Sequence, residues 1–257
     1  MEKGKDRKME VTRRPFQGIT NIVRFNWHFY LMLVVVFILL FALKSKLPPN
    51  LQIVLNSGII VAVILLASSL LVSFYIYDLS DLYQLKWMEK AAGKNLLTVN
   101  AGFDETTGII RKKFPSANIT ICDFYDPAKH TEISIRRARK AFPSSAESIA
   151  VNTKSLPFSE AAFDNCCAIL AAHEIRDKNE RVQFFKEIAR VTKDKVFVTE
   201  HLRDLNNFLA FNIGFFHFYS RKSWLQTFES ADLAVTQEIR TTPFITTFVL
   251  EKHGDTF

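Results

Sequence analysis

Two long uncharged apolar runs, from about Phe29 to Leu43 and from about Ile59 to Tyr77, lie close together near the start of the chain, and nothing comparable follows them. At about 1.5 Å per helical residue, the second run nearly reaches the roughly 30 Å of a bilayer's hydrocarbon core. The first is shorter. Trp27 and His28 before it and Lys44 and Lys46 after it extend it, because such side chains keep their stems in hydrocarbon and their polar ends among headgroups. The turn from Lys44 to Asn50 contains Pro48 and Pro49, which end the first helix because proline lacks an amide donor. The pair therefore reads as a helical hairpin spanning a membrane twice. Neither run has the amphipathic period of a helix buried in a soluble bundle. A signal peptide, the competing reading of the first run, would not be followed at once by a second span.

Lys3, Lys5, Arg7, Lys8, Arg13, Arg14 and Arg24 precede the first run, against Lys44 and Lys46 in the turn. This asymmetry predicts a cytoplasmic N-terminus and, after two spans, a cytoplasmic C-terminus. The same residues account for much of the net charge of +7 and the pI near 9.3 through attraction to anionic lipid, so no nucleic-acid partner is expected. Cys122, Cys166 and Cys167 fall in apolar, strand-like runs without metal-ligand spacing. Buried reduced thiols are the expectation, and no metal site is read from the sequence. The sequon Asn118-Ile119-Thr120 goes unused in a cytoplasmic domain.

Four segments follow from this reading: a basic N-terminal stretch over 1–26, the hairpin over 27–78, a linker helix over 79–94 and one soluble domain over 95–257. Leu79, Leu82, Tyr83 and Trp87 recur at helical spacing in the linker, and Gly93 closes it. Beyond it, candidate strands 96–101, 118–124, 148–152, 165–170 and 196–200 alternate with candidate helices 105–114, 129–142 and 178–192. This rhythm is that of a doubly wound, mostly parallel α/β sheet. An aromatic helical stretch from Leu205 to Tyr219 and a helix over 223–230 come next. Strands 235–240 and 245–252, joined by Thr241-Thr242-Pro243, then close the sheet to seven strands as an antiparallel hairpin.

The segment LPFSEAAFD at Leu156 to Asp164, followed by an apolar strand and AAHEI at Ala171 to Ile175, resembles the fourth-strand region of the class I S-adenosylmethionine-dependent methyltransferases. FFKEIARVTKDKVFVTEH, Phe184 to His201, resembles that family's following helix and fifth strand. The resemblance covers most of the chain after Asn95 and implies S-adenosylmethionine as cofactor. Ligands of open α/β sheets bind beyond the carboxyl ends of the strands, against a glycine-bearing first turn. That turn is Asn100-Ala101-Gly102-Phe103-Asp104. Asp123 ends the second strand, where its carboxylate is placed to accept the ribose hydroxyls, with Phe124 beside it to pack on adenine. A turn or cap role is the plainer alternative for Asp123. Asn152, with Thr153 next to it, stands where relatives contact the adenine amino group.

The first motif departs from the family's usual form. Thr98 stands near an acidic position, Asn100 and Asp104 replace glycines, and only Gly102 remains. Asp104 either crowds the cofactor's methionine part or binds its ammonium. Lys193-Asp194-Lys195 replaces the usual Pro-Gly-Gly turn. His173 and His201, at the ends of the fourth and fifth strands, are candidate bases for an acidic acceptor, or ordinary hydrogen-bonding residues of polar loops. Arg176 and Arg203 are candidates to hold an anionic substrate group, and Phe215 and Tyr219 to line an apolar one. The expectation is a membrane-anchored methyltransferase acting on a hydrophobic or lipid-like acceptor, by analogy with quinone methyltransferases. The alternatives are a catalytically silent interaction module, favoured by the eroded first motif, and a nucleotide-sugar or NAD enzyme, disfavoured by the lack of G-x-G-x-x-G.

Overall fold

The computed structural model describes residues 13–88 and 94–254. Lys3, Lys5, Arg7, Lys8 and the Gly93 helix end fall outside them. Helix α1, Gln17–Lys44, and helix α2, Pro49–Phe74, form the hairpin, with Pro49 in the first turn of α2, where its missing amide costs nothing. Both are long and apolar enough to cross a membrane, and their apolar windows are almost unburied within the protein, unlike a core helix.

Helix α1 starts well before its apolar run. Gly18, Asn21 and Phe25 fall on one face and are buried against the soluble domain. Asp78, just past α2, accepts hydrogen bonds from the amides of Gly18 and Ile19, both at 2.8 Å. A carboxylate from the far end of the hairpin thus satisfies orphan donors of the first turn of α1 and meets the positive end of its dipole.

The continuous linker helix expected over 79–94 does not form in the described part. A π-turn at Tyr75–Leu79 is followed by short 3-10 turns at Asp81–Gln84 and Lys86–Met88. Ser80 is extended and Leu85 is left-handed, with φ 50°. The physical reason is burial: Leu82, Leu85 and Met88 are all turned into the protein, which a straight helix leaving the membrane does not achieve.

Among the described residues, seven strands form one sheet in the order β3-β2-β1-β4-β5-β7-β6. They are β1 Asn95–Asn100, β2 Asn118–Asp123, β3 Ser148–Ala150, β4 Phe163–Ile169, β5 Thr192–His201, β6 Leu233–Thr242 and β7 Ile245–Lys252. The first five are parallel and β7 runs antiparallel to both β5 and β6. Between and after them lie α3 Thr107–Lys113, α4 Ile133–Ala141, α5 Lys178–Val191, α6 Leu205–Phe211 and α7 Arg221–Ser230.

Strand alternation divides the core between two faces. Leu97, Cys166, Val196, Val198, Phe248 and Leu250 face one layer with α5 and α7, where Phe184, Phe185, Trp224 and Phe228 pack. Their neighbours Leu96, Cys167, Phe197 and Val249 face the other, closed by Ile110 of α3 and by Leu85 and Met88. The linker therefore takes the place of a covering helix, and Trp87 lies 5.2 Å from the Phe197 ring. All three cysteines are free and buried, and burial beside Asp123 pushes the Cys122 thiol up to about 12.

Candidate active site

Parallel strands place their carboxyl ends along one edge of the sheet, and the loops leaving β2, β3 and β4 enclose a cleft of about 580 Å³. Asp123, Phe124, Tyr125, Asn152, Thr153, Glu174 and Arg176 are among its lining residues. Asp123 ends β2 and is 4 % exposed. One carboxylate oxygen accepts the Tyr125 amide at 2.9 Å; the other is paired with Arg139 of α4 and accepts the Ser144 hydroxyl at 3.1 Å. The carboxylate is thus aimed at the cleft but carries a resident guanidinium.

Gly102, at φ 88°, is the position in the first loop where glycine is required. A Cβ there would sit 2.8 Å from the Tyr125 ring. Asn100 accepts the Gly102 amide at 3.2 Å and closes this turn, and Ala101 is buried beneath it. Asp104 accepts the amides of Thr106 and Thr107, both at 2.9 Å, and so serves the start of α3. Phe124 is buried in the core, 5.3 Å from Phe184, with Tyr125 and His130 on its cleft side. Asn152 accepts the Lys154 amide at 2.7 Å, and the Thr153 hydroxyl donates to Glu180.

Glu105 is the residue of the first loop that sequence reasoning passed over. One of its oxygens accepts Asn21 at 3.0 Å and Gln17 at 3.2 Å and lies 3.2 Å from Arg13; the other accepts the Tyr83 hydroxyl at 3.1 Å. Phe103 beside it stacks edge-on to Phe25, with ring centroids 5.6 Å apart. The start of α1 thus roofs the glycine-poor first loop.

The two histidines have different environments. His173 follows β4; its Nδ1 is 2.6 Å from Glu200, which is 0 % exposed, and its Nε2 is 3.4 Å from Glu174. Burial disfavours the imidazolium, but Glu200 and Glu174 outweigh it and lift His173 to about 10. Burial works to raise the Glu174 carboxyl, and bonds from His173 and His217 overcome it and hold Glu174 well below the usual carboxylate range. His201 ends β5 between the Asn207 side chain, 3.0 Å from Nδ1, and the Tyr77 hydroxyl, 2.8 Å from Nε2. Burial lowers it to about 3, so the ring is neutral, donating from Nδ1 and accepting at Nε2.

Arg176 donates to the His217 carbonyl at 2.7 Å, and Arg203 to that of Phe216 at 2.7 Å, so both arginines fasten the aromatic segment. The Tyr219 hydroxyl donates to the carbonyls of Ile175 and Arg176, both at 3.2 Å. Phe215 packs on Phe208 and Phe216. The segment folds as α6 followed by a 3-10 turn, Asn212–His217, and rests on α2: Ser68 donates to the Leu209 carbonyl at 3.3 Å and Asn212 to that of Leu65 at 3.4 Å. Leu205, Phe208, Leu209, Ile213 and Phe216 remain exposed beside the exposed apolar surface of α2.

Residues 97–199 match the family model described as a methyltransferase domain. A solved S-adenosylmethionine-dependent methyltransferase from Aquifex aeolicus superposes with a TM-score of 0.51 at 14% identity, over 69% of this chain and 92% of that one. The PH0226 protein from Pyrococcus horikoshii OT3 gives a TM-score of 0.49 at 16% identity, over 67% of this chain and 88% of its own. No curated protein matches the sequence. With its β3-β2-β1-β4-β5-β7-β6 sheet, the chain has the fold of a solved S-adenosylmethionine-dependent methyltransferase and is similar to a methyltransferase domain over residues 97–199, behind two helices long and apolar enough to cross a membrane.

Proposed function

We propose that the protein is a membrane-tethered methyltransferase that acts on a hydrophobic, lipid-like acceptor at the cytoplasmic bilayer surface. The observation that carries this reading is the seat of the aromatic segment. It leaves the carboxyl end of β5, beside the cleft, and lies against α2 at Leu65 and Ser68 with apolar side chains exposed. Trp27 and His28 of α1 are bridged to the domain by Arg137, which donates to the Phe25 carbonyl and to His28 at 2.7 Å and lies 5.1 Å from the Trp27 ring. Aromatic and basic side chains of this kind favour the headgroup layer. The sheet edge that bears the cleft then faces the membrane.

Bound S-adenosylmethionine supplies an electrophilic methyl group for in-line displacement. Asn152, Thr153 and Asp123 line the cleft and suit its adenosine half, Asp123 accepting ribose hydroxyls once Arg139 swings aside. Gly102 lets Tyr125 close over the first loop. At the acceptor end, protonated His173, held by Glu200, favours an acceptor that has lost its proton, because its charge stabilises the acceptor anion before attack on the methyl group. His201 is fully engaged by Tyr77 and Asn207 and acts as a positioning residue. Phe215 and Tyr219 border the acceptor path.

The test uses the full chain in lipid nanodiscs, with methyl-labelled S-adenosylmethionine and a membrane lipid extract. Label entering the organic phase is the expected result; label confined to water-soluble acceptors overturns the reading. Reporter fusions at the N-terminus and after Lys252 check the orientation, and both are expected on the cytoplasmic side.

A further inference from the structure

The turn after β4 and the end of the aromatic segment bring two imidazoles to one carboxylate. Nε2 of His173 lies 3.4 Å, and Nε2 of His217 3.5 Å, from the same oxygen of Glu174. The three potential ligand atoms all lie within 4.8 Å of one another. Around a tetrahedral ion with bonds of about 2.1 Å, neighbouring ligands stand about 3.4 Å apart, so both His–Glu distances already match an edge of that tetrahedron.

The other nitrogen of each ring is also committed. Glu200 lies 2.6 Å from Nδ1 of His173, and Glu132 lies 3.2 Å from Nδ1 of His217. A carboxylate on Nδ1 keeps a proton there, so that Nε2, once it gives up any proton of its own to an incoming ion, becomes the ligand atom, the arrangement that orients histidine ligands in metal sites. It occurs here on both rings, aimed at one shared Glu174. Arg176 stands beside them: one guanidinium nitrogen contacts both ring nitrogens of His217, at 2.6 Å from Nε2, and lies 3.5 Å from Glu132. A half-exposed cation thus sits at the His217 side of the cluster, against the lone pair that an ion would use.

We propose that His173, Glu174 and His217 form a binding site for a divalent first-row transition ion of the zinc class, with Arg176 as the cation that the ion displaces. Two imidazoles and one carboxylate suit zinc and its neighbours better than calcium or magnesium. The fourth position faces the cleft end lined by Glu174 and Arg176 and is open to water or an acceptor oxygen. Ion binding stands on this geometry and is read without methyl transfer; a bound ion would replace the His173 proton as the positive charge beside Glu174 and Glu200.

The test is Zn²⁺ titration of the full chain in detergent, free of affinity tags and stripped with chelator, followed by Co²⁺ substitution read by absorption. One equivalent bound with the intense visible bands of tetrahedral Co²⁺ is the expected result. Glu174→Gln and His217→Ala each lower affinity on the order of a hundredfold, and Glu132→Gln about tenfold. Arg176→Ala raises it by removing the competitor. Thermal unfolding of each variant separates lost binding from lost fold, and His253→Ala leaves binding unchanged. Absence of Zn²⁺ uptake by the wild-type chain, or uptake indifferent to Glu174→Gln and His217→Ala in folded protein, overturns the proposal.

Discussion

The hydroxyl of Tyr77 lies 2.8 Å from Nε2 of His201, tying the turn that leaves α2 to the last residue of β5. Because His201 is neutral and its Nδ1 serves Asn207, Tyr77 is the donor in this bond. Tyr77→Phe keeps the ring and strips a buried acceptor of its partner, an expected loss of about 1–3 kcal/mol. Denaturant unfolding of the full chain in detergent measures it, and an unchanged midpoint would show that the bond contributes nothing to stability.

The same ring sets a pH dependence. His201 titrates near 3 when folded, against about 6.5 in the unfolded chain. Between those values the unfolded chain holds a proton that the folded one lacks, so stability from this group falls as pH is lowered from 6.5 toward 3. Above 6.5 it is constant. Thermal midpoints from pH 7.5 to 5 are expected to decline for the wild type and less steeply for His201→Gln; parallel curves would refute the assignment.

Asp123→Ala is expected to weaken S-adenosylmethionine binding by about 1.5–3 kcal/mol, ten- to a hundredfold in dissociation constant. The structure gives Asp123 three partners, Arg139, Ser144 and the Tyr125 amide, so unfolding should also come earlier. Arg139→Ala has the opposite effect on binding, freeing the carboxylate and raising affinity. Calorimetry on the full chain reads both, and equal affinities across the three proteins would remove Asp123 from the cofactor site.

Glycines within the hairpin separate docking from spanning. A Cβ at Gly18 would stand 2.3 Å from Cβ of Tyr77, while one at Gly58 meets nothing within 4 Å. Gly18→Ala should cost about 1–3 kcal/mol through the forced backbone shift. Gly58→Ala should leave the unfolding midpoint where it was. Similar midpoints for the two variants would show that α1 does not dock as described.

The periods of the sequence located every strand, because alternate residues such as Cys166 and Cys167 or Val196 and Phe197 serve opposite faces and leave continuous apolar runs. Other features lie beyond a linear reading. The Asp123–Arg139 pair joins a strand end to a helix whose rotation is set by packing. Asp78 meets Gly18 across the whole hairpin. The linker misled because Leu79, Leu82, Tyr83 and Trp87 do recur at helical spacing, yet Leu85 turns left-handed so that it and Met88 reach the sheet. Gly18, Asn21 and Phe25 gave a faint signal at one helical face, hidden by the stronger apolar run behind them. His217 was passed over as one ring among many; its pairing with Glu174 depends on the fold of the aromatic segment.

Leu85 and Met88 close the face of the sheet that carries Phe197 and Val249, and Leu82 packs with Ile76 and Ile245, so the stretch from Ile76 to Met88 is part of the α/β domain's own interior. The anchor is accordingly not portable. A chimera that joins β1 directly to a foreign membrane helix would leave that face wet and lose the roof over the first loop, while one that retains Arg13 to Phe25 and Tyr75 to Met88 keeps both. By the same logic, cleavage between α2 and β1 would release a domain with one sheet face uncovered rather than a self-contained one.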